Sequence, residues 1–471
     1  MNITGREQEQ QMLKQLIESD KAEFVAVYGR RRVGKTFLIR EFFNQKFAFY
    51  HTGLANSGME TQLHSFNLSL NHYGKVHYPV ANTWIDSFEQ LRHLLSRGRK
   101  TSKKVVFIDE MPWIDTSRSG FLAALEHFWN GWASGKKEIL FIVCGSATSW
   151  IIDKLLNNRG GLHNRVTQQI YLRPFTLSEC EAFHRRQQLV MSRHEMVENY
   201  MIFGGIPFYL SLMQKSLSMT QNIDYLLFGD NALLKNEFYN LYASLFKKSE
   251  NHIKIVEALS SKLKGLTREE IISITKLHDG GSTNRLLKEL ELSGFIRRYK
   301  GYGKKIRQSL YQLIDFYSLF YFNFLKNNAF DDEHYWTNFI GDARHRAWSG
   351  YAFEQVCLSH LSQIKQKLGI SGVLTKTYSW ISSDKENGAQ IDLVLERNDR
   401  VINLCEMKYA GKEFVIDKKT DENLRHKRAA FKEETKTNHA LHLTMITTYG
   451  VKHNQYWGSI QSEVTVNDLF K

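Results

Sequence analysis

Short apolar runs separated by helical patterns organise the first 170 residues. Apolar runs without polar alternation are typical of buried strands in a parallel sheet. A helical pattern over residues 37–43 follows the first run after a short loop that contains glycine. Strand, loop and helix in this order predict an α/β fold. The four strand-like runs are residues 24–28, 105–108, 139–144 and 169–172.

The pattern becomes helical after about residue 171 and stays so to about residue 250. Pro174 ends the fourth strand-like run. Ser178, with Glu181 three residues later, predicts the start of the next helix, because this spacing suits a capping box. We therefore expect a helical lid after the α/β core.

Residues 252–313 predict three helices followed by a β-hairpin. Apolar residues recur at helical spacing in the first helix, and Thr267 with Glu270 forms a capping box for the second. The third helix begins at Ser282 after a Gly-Gly turn, and two strand-like runs then flank a loop that contains glycine. This order of elements resembles a winged helix-turn-helix domain.

Two further strand-like runs within residues 390–408 flank a polar turn centred on Asp399. Asp392 and Glu406 are equidistant from that centre, so a regular hairpin places them opposite each other, with Cβ atoms about 5 Å apart. Lys408 lies on the same face as Glu406. Opposed carboxylates repel each other unless a divalent cation lies between them. The pattern predicts a Mg²⁺ or Mn²⁺ site; a solvent-facing Glu–Lys pair is the alternative.

Length and composition are those of an ordinary globular protein with several domains: 471 residues, 42% hydrophobic and 24% charged. No apolar run approaches the roughly 18 residues that span a bilayer. The first residues also lack the apolar segment of a signal peptide. We therefore expect a cytoplasmic protein without a membrane partner, and we interpret its four widely spaced cysteines as structural. The predicted domains are residues 1–170, 171–250, 251–335 and 336–471.

The basic excess favours a nucleic-acid partner, with DNA favoured over RNA. Net charge is +14, with a pI near 9.3, and such an excess supplies the sequence-independent part of nucleic-acid binding. Cations cluster on the predicted hairpin, and polar residues of the third helix are expected to face bases. A hairpin that is merely solvated, or that contacts protein, is the alternative. The hairpin cations are Arg297, Arg298, Lys300, Lys304, Lys305 and Arg307, and the helix residues are Thr283, Asn284, Arg285 and Lys288.

The loop after the first strand carries the pattern G-x-x-x-x-G-K-[ST] between a strand and a helix. Its two glycines let the backbone curl around a polyphosphate that faces a helix N-terminus. Lys35 would reach the β- and γ-phosphates, and the Thr36 hydroxyl would hold Mg²⁺. We therefore expect ATP or GTP to bind with Mg²⁺. The loop residues are Gly29, Arg30, Arg31, Arg32, Val33, Gly34, Lys35 and Thr36.

Polar residues follow the next two strand-like runs. Asp109 and Glu110 end the second run, where parallel strands place their ligands; Asp109 would hold Mg²⁺ through water and Glu110 would polarise the attacking water. Ser146 follows the third run and suits sensing of the γ-phosphate or the water, although it fits an ordinary turn equally well. Arg159 and Arg165 are candidates for an arginine finger, within one subunit or between two; ordinary surface arginines are the alternative.

Six short segments have the order and spacing of the archaeal-type ATPases, a branch of the AAA-like P-loop ATPases. The chain resembles that family over about residues 1–230. The resemblance implies ATP as the nucleotide and a RecA-like αβα sandwich, with residues 204–207 of a helical lid near the nucleotide. It also places Arg6 beside the adenine. The segments are residues 5–7, 29–36, 107–110, 144–146, 172–175 and 204–207.

The C-terminal residues 336–471 resemble the PD-(D/E)xK nuclease, or restriction-endonuclease-like, α/β fold. Asp392, Glu406 and Lys408 form its D-x₁₃-E-x-K pattern. The resemblance implies that Glu354 is the acid of the fold's first helix and that these four residues are catalytic. Gln390 and Ile391 stand where the family often has proline. A C-terminal domain of this kind is a known accompaniment of archaeal-type ATPases.

Two functions are consistent with these features. In the first, ATP hydrolysis repositions a winged helix and a nuclease-like module on DNA, and the carboxylate site cleaves phosphodiester bonds. In the second, the chain is an ATP-switched signalling, defence or transposition-accessory protein whose C-terminal domain binds without cleaving. ATP-dependent assembly into homo-oligomers is expected of the accessory protein.

Overall fold

The computed structural model describes residues 3–97, 102–158, 160–246, 248–305, 308–326, 332–384 and 387–471. The chain forms two units, Met1–Pro174 and Phe175–Lys471. Within the described ranges, every helix is too short or too polar to cross a membrane. The four cysteines are buried and free, in line with a structural role.

A five-stranded parallel sheet forms the centre of the first unit, in the order β2-β3-β4-β1-β5. The parallel α/β core predicted from the apolar runs is confirmed. Strand β2 was not predicted, because its four residues, Phe-Tyr-His-Thr, are too few and too polar to form an apolar run. The strands are β1 (Glu23–Tyr28), β2 (Phe49–Thr52), β3 (Lys104–Asp109), β4 (Ile139–Gly145) and β5 (Gln168–Tyr171).

Aromatic packing fixes this sheet against its helices. Phe24 of β1 contacts Trp129 with ring centroids 4.9 Å apart, and Phe49 of β2 meets Tyr73 edge to face at 5.9 Å. Edge-to-face pairs add to the stabilisation that burial already gives. The helices are α1 (Glu7–Glu18), α2 (Lys35–Phe42), α3 (Met59–Gly74), α4 (Trp84–Ser96), α5 (Met111–Ile114), α6 (Phe121–Gly131) and α7 (Thr148–Trp150).

The strand order determines which loops meet. Strand β4 pairs with both β1 and β3, so the carboxyl ends of these three strands lie side by side. The residues that follow them, beginning at Gly29, Glu110 and Ser146, therefore share one edge of the sheet, where open α/β sheets bind their ligands.

Helices begin the second unit. The capping box of Thr267 and Glu270 is present at the start of the predicted second helix. The prediction that Ser178 caps the first helix is wrong: Thr176 is the N-cap and makes both capping-box contacts with Glu179. The elements are α8 (Leu177–Arg186), α9 (Arg193–Phe203), α10 (Pro207–Ser211), α11 (Met219–Leu227), α12 (Glu237–Leu245), α13 (Glu250–Ser260), α14 (Arg268–Thr275), α15 (Gly281–Leu292), β6 (Ile296–Tyr299) and β7 (Leu310–Leu313).

A second sheet, in the order β12-β11-β10-β9-β8, completes this unit. Strands β8, β9 and β10 pair antiparallel, whereas β10, β11 and β12 pair parallel. The elements are α16 (Phe316–Phe320), α17 (Tyr335–Phe339), α18 (Ala343–Ser359), α19 (Leu361–Lys367), β8 (Thr375–Ile381), β9 (Gln390–Arg397), β10 (Val401–Lys408), α20 (Lys418–Thr435), β11 (Ala440–Thr447) and β12 (Ser462–Thr465).

The hairpin of β9 and β10 has the register predicted from its turn. Cys405 pairs with Leu393, and the pairing continues in step to Ile402. The next positions beyond Cys405 and Leu393 are Glu406 and Asp392. Glu406 therefore comes directly after Cys405 on β10, and Asp392 comes directly before Leu393 on the neighbouring strand β9.

Candidate functional site

The loop between β1 and α2 has a backbone that requires glycine. Gly29 has a φ of 142°, and a Cβ atom there would lie 2.3 Å from the carbonyl oxygen of Leu172. Gly34, with a φ of 89°, is the N-cap of α2. These conformations are strained for any residue with a side chain. The loop thus curls tightly and presents the N-terminus of α2, as an anion site needs.

The ammonium group of Lys35 lies inside this curl. Its Nζ donates to the carbonyl oxygens of Gly29 at 3.0 Å and Arg30 at 2.9 Å, and the residue is 5% exposed. Arg6, just before α1, donates from Nη2 to the Val33 carbonyl at 3.2 Å. The loop therefore holds a buried positive charge and is braced from the start of the chain.

Thr36 and Asp109 lie side by side beneath the loop. The Thr36 hydroxyl donates to Oδ2 of Asp109 at 2.7 Å, and Asp109 is 3% exposed. A hydroxyl and a carboxylate are hard oxygen ligands of the kind Mg²⁺ takes, with water and phosphate oxygens completing its octahedron. These two side chains fit the cation that a bound nucleoside triphosphate would bring.

Glu110 is held by the end of β4. The backbone N–H of Ser146 donates to its Oε2 at 3.2 Å, and the Ser146 hydroxyl lies 3.1 Å from Oε1 and 3.0 Å from Oε2. Glu110 has a left-handed backbone with a φ of 45°, a conformation that is uncommon outside glycine. Its carboxylate is thereby fixed beside Asp109, within the same edge of the sheet.

The candidate finger arginines are Arg159 and Arg165. Arg159 lies outside the described residues. Arg165 is exposed, and its Nε donates to the carbonyl oxygen of Gly161 at 3.4 Å, within its own loop. Either assignment stays a prediction.

A second polar cluster lies on β9 and β10. Glu406 is 8% exposed, and its two carboxylate oxygens meet Lys408 at 2.9 Å and Lys427 at 2.6 Å. Burial acts to raise the pKa of Glu406, but the two ammonium groups outweigh it and hold that pKa below its usual range. Lys427 was not predicted, because it comes from α20 and no spacing in the sequence links it to this hairpin.

The pKa values of Glu354 and Asp392 are shifted by burial and by neighbouring carboxylate charges. Burial, and next the charges of Asp392 and Glu406, raise the pKa of Glu354 to about 8. Burial, and next the charge of Glu406, raise the pKa of Asp392. Carboxyl groups that shift each other in this way lie close together. The structure therefore brings together three of the acids that the sequence nominated.

The fit of this cluster to a divalent cation can be judged from its donors. Within the described ranges, no group of three or more His, Cys, Asp and Glu side chains is arranged to hold a metal ion. Mg²⁺, however, often binds through one or two carboxylates and completes its shell with water and substrate phosphate oxygens. Asp392 and Glu406 fit such a site, in which the cation would compete with Lys427 for Glu406.

The hairpin of β6 and β7 differs in part from expectation. Lys304 and Lys305 are exposed, whereas Arg307 lies outside the described residues. Arg297 points inward: its Nε donates to Oε1 of Gln312 at 2.9 Å, and burial lowers its pKa. On α15, Thr283 is 1% exposed and donates to the His278 carbonyl. The prediction that Thr283 faces a base is therefore wrong.

The parallel sheet, the G-x-x-x-x-G-K-T loop and the Thr–Asp pair together define a P-loop nucleotide-hydrolysing domain. Residues 3–213 match the family described as an ATPase domain predominantly from Archaea. The chain is 23% identical over 417 residues to an uncharacterized protein of Methanocaldococcus jannaschii, covering 86% of this chain and 87% of that protein.

Two solved structures are similar. One is a Walker-type ATPase of Pyrococcus abyssi, at 17% identity with a TM-score of 0.50, covering 69% of this chain and 97% of that one. The other is the ORC2 protein of Aeropyrum pernix, at 14% identity with a TM-score of 0.43, covering 66% and 90%. The family match confirms the expected archaeal-type ATPase domain over residues 3–213, and the first of these structures shares its fold. The protein is an ATPase.

Proposed function

We propose that the protein couples ATP hydrolysis to DNA binding by residues 250–313 and to metal-dependent DNA cleavage by its C-terminal site. One observation carries the proposal. Glu354, Asp392 and Glu406 converge in the same unit that holds the exposed Lys304 and Lys305. Carboxylates with shifted pKa values beside a lysine are typical of functional sites.

At the ATP site, each residue has a task that its contacts support. Lys35 binds the β- and γ-phosphates in place of the loop carbonyls it now contacts. Thr36 and Asp109 hold Mg²⁺, which neutralises charge on the phosphate oxygens. Glu110 orients and polarises the attacking water, and Ser146 keeps its carboxylate in place. Holding Mg²⁺ is the one role proposed for Asp109.

At the C-terminal site, the order of elements supports a PD-(D/E)xK nuclease-like domain. Helix α18 precedes three antiparallel strands, and α20 leads to the parallel strand β11. Asp392 and Glu406 would hold Mg²⁺ or Mn²⁺, which activates water and stabilises the leaving oxygen. Lys408 lies beside them, and Glu354 supplies a carboxyl group whose proton is held more tightly than usual.

The three helices α13, α14 and α15, followed by the β6–β7 hairpin, support a winged helix. Its surface cations would meet the phosphate backbone. Arg285 and Lys288 of α15 are exposed, and Lys304 and Lys305 extend the positive surface to the tip of the hairpin.

Replacing Asp392 with asparagine is expected to abolish Mg²⁺- or Mn²⁺-dependent cleavage of plasmid DNA. The substitution keeps the side chain's size but removes the charge that a divalent cation needs. ATP hydrolysis should change less than about twofold, because the residues assigned to it all belong to the first unit. DNA should still bind, because the cations of the hairpin are unchanged. Gel analysis of plasmid nicking, with ATP turnover measured in parallel, checks this.

The matched control is Asp399→Asn, in the exposed turn of the same hairpin. It removes one carboxylate from the same element, and exposed ion pairs such as the one with Arg397 contribute little. Cleavage that persists in Asp392→Asn would exclude the carboxylate site as the nuclease.

A second candidate function is supported by the lysines at Glu406. Both oxygens of this carboxylate are already bound by Lys408 and Lys427, as in a structural ion-pair network. Here the C-terminal domain grips DNA or protein without cleaving it, and the chain is an ATP-switched signalling, defence or transposition-accessory protein. Wild-type protein that binds DNA but leaves it intact in Mg²⁺ and Mn²⁺, and that assembles with ATP in size-exclusion chromatography, favours this candidate.

Neutralising Lys304 and Lys305 together is expected to weaken DNA binding and to flatten its salt dependence. Each lysine that contacts phosphate contributes about one unit to the slope of log K against log salt. The double alanine variant should therefore lose about two units of slope. Fluorescence anisotropy across a salt series measures it.

The control is the double variant Lys418→Ala and Lys419→Ala. These adjacent lysines are exposed in the first turn of α20, so the net charge lost is the same. Equal slopes in the two double variants would remove the hairpin tip from the DNA-binding surface.

A further inference from the structure

A cavity of about 650 Å³ lies beside the C-terminal carboxylates. Its lining includes Arg297 and Tyr299 from β6, Glu354 from α18 and Asp392 from β9. Pockets that bury a small ligand measure about 300–1,000 Å³. The cavity therefore has room for a single nucleotide that is terminal or turned out of a helix.

Arg297 is fixed in the wall of this cavity. Both Nε and Nη2 of its guanidinium donate to Oε1 of Gln312. The Gln312 amide nitrogen in turn donates to the Tyr351 hydroxyl at 3.0 Å. Tyr351 lies three residues before Glu354, on the same face of α18. A chain of hydrogen bonds thus sets the guanidinium relative to the acid.

The tip of the hairpin is fixed as well. The backbone N–H of Tyr302 donates to the Ser379 carbonyl at 2.8 Å, and the Tyr302 hydroxyl donates to Glu396 at 3.1 Å. The Tyr302 ring also packs against Tyr378 and Phe431. The hairpin therefore packs on β8 and β9 and forms a wall of the site, rather than a free arm.

The chemistry of the cavity suits a nucleotide with its phosphate. Lys264 and Arg346 line it together with Arg297, so cations outnumber the acids Glu354 and Asp392. Tyr299 offers an aromatic ring, and stacking on such rings is how single-stranded bases are held. Gln355, 2% exposed, also lines the cavity, and both polar atoms of its amide lack a hydrogen-bond partner among the described residues. An unsatisfied buried amide is costly unless a ligand or water completes it.

We propose that an unpaired or terminal nucleotide of a DNA strand occupies this cavity, and that Arg297 binds its phosphate next to Glu354 and Asp392. The inference rests on the proposed function of the C-terminal site. It adds that the hairpin completes that site and that the strand enters single-stranded.

Affinity for a short single-stranded oligonucleotide tests this without cleavage. The full-length protein is titrated in EDTA, with fluorescence anisotropy as the readout. Arg297→Ala is expected to weaken binding roughly 10- to 100-fold, through the loss of a charge-assisted phosphate contact. Arg297→Lys keeps the charge but not the planar fork, so its affinity should lie between the two. If the alanine variant does not fold, the affinity of Arg297→Lys still tests the phosphate contact.

Arg428→Ala is the matched control. Arg428 is exposed on α20, in the same unit, and it has no assigned role in DNA binding. The two alanine variants lose the same charge, so the difference between them measures the specific contact. The wild type should also prefer the oligonucleotide over duplex closed at both ends.

Equal losses in the two alanine variants, or a preference for closed duplex, would overturn the inference. Failure of the proposed function has a different signature. If the wild type does not cleave DNA, yet only Arg297→Ala loses oligonucleotide affinity, the cavity is still the strand-binding site and only cleavage is withdrawn.

Discussion

Lys35→Ala is expected to raise the Kd for ATP by about 10- to 150-fold and to remove measurable hydrolysis. Contacts to a charged group contribute about 1.5–3 kcal/mol, and each 1.4 kcal/mol is a factor of ten in affinity. Lys35 is a buried cation of the loop, held by the carbonyls of Gly29 and Arg30. Isothermal titration calorimetry and a phosphate-release assay give the two quantities.

The control for this variant is Lys14→Ala. Lys14 is exposed on α1 in the same unit. Its substitution removes the same side chain, at a position with no assigned role in ATP binding or hydrolysis. Its ATP affinity and turnover should match the wild type. Thermal unfolding of both variants shows whether the fold is retained. ATP affinity that is unchanged in a folded Lys35→Ala protein would contradict the assignment of the loop.

Glu110→Gln is expected to lower kcat for ATP hydrolysis by about 10²- to 10⁴-fold while leaving ATP affinity nearly unchanged. General-base assistance is of that size, and glutamine keeps the shape and one oxygen that can accept from Ser146. The variant should therefore accumulate bound, unhydrolysed ATP. Single-turnover kinetics together with nucleotide extraction from the purified complex measures both effects.

Glu60→Gln provides the comparison, because Glu60 is exposed on α3 in the same unit. Its kcat should stay within about twofold of the wild type, as expected for a surface substitution. Ser146→Ala should lie between the two glutamine variants, since it loosens the Glu110 carboxylate without removing it. A Glu110→Gln enzyme that turns over at the wild-type rate would assign the activation of water to another group.

The elements that could be predicted are those whose chemistry is local in sequence. The loop at residues 29–36 is recognisable because glycine, lysine and threonine stand at fixed positions between a strand and a helix. The turn at Asp399 fixes the register of its hairpin, since strand positions equidistant from a turn must pair. The capping box at Thr267 locates the start of α14, because its two residues, Thr267 and Glu270, are only three positions apart in the sequence.

The features that escaped prediction depend on distant contacts. Lys427 reaches Glu406 from a helix 21 positions along the chain, and nothing near Glu406 signals it. The inward orientation of Arg297 depends on Gln312, on the facing strand. Thr283 is buried because its hydroxyl turns back to His278. Pattern alone reports the composition of a hairpin or a helix, whereas tertiary packing decides which side chain faces solvent.

The central claim is that a triphosphate binds in the curl of the β1–α2 loop with Lys35, Thr36 and Asp109. Calorimetric titration of the purified, folded wild-type protein with ATP and Mg²⁺ tests it most directly. We predict saturable binding of one ATP per chain, weakened when Mg²⁺ is chelated because Thr36 and Asp109 then lose the cation they share. The absence of any heat of binding from ATP with Mg²⁺, in protein shown to be folded, would contradict the account.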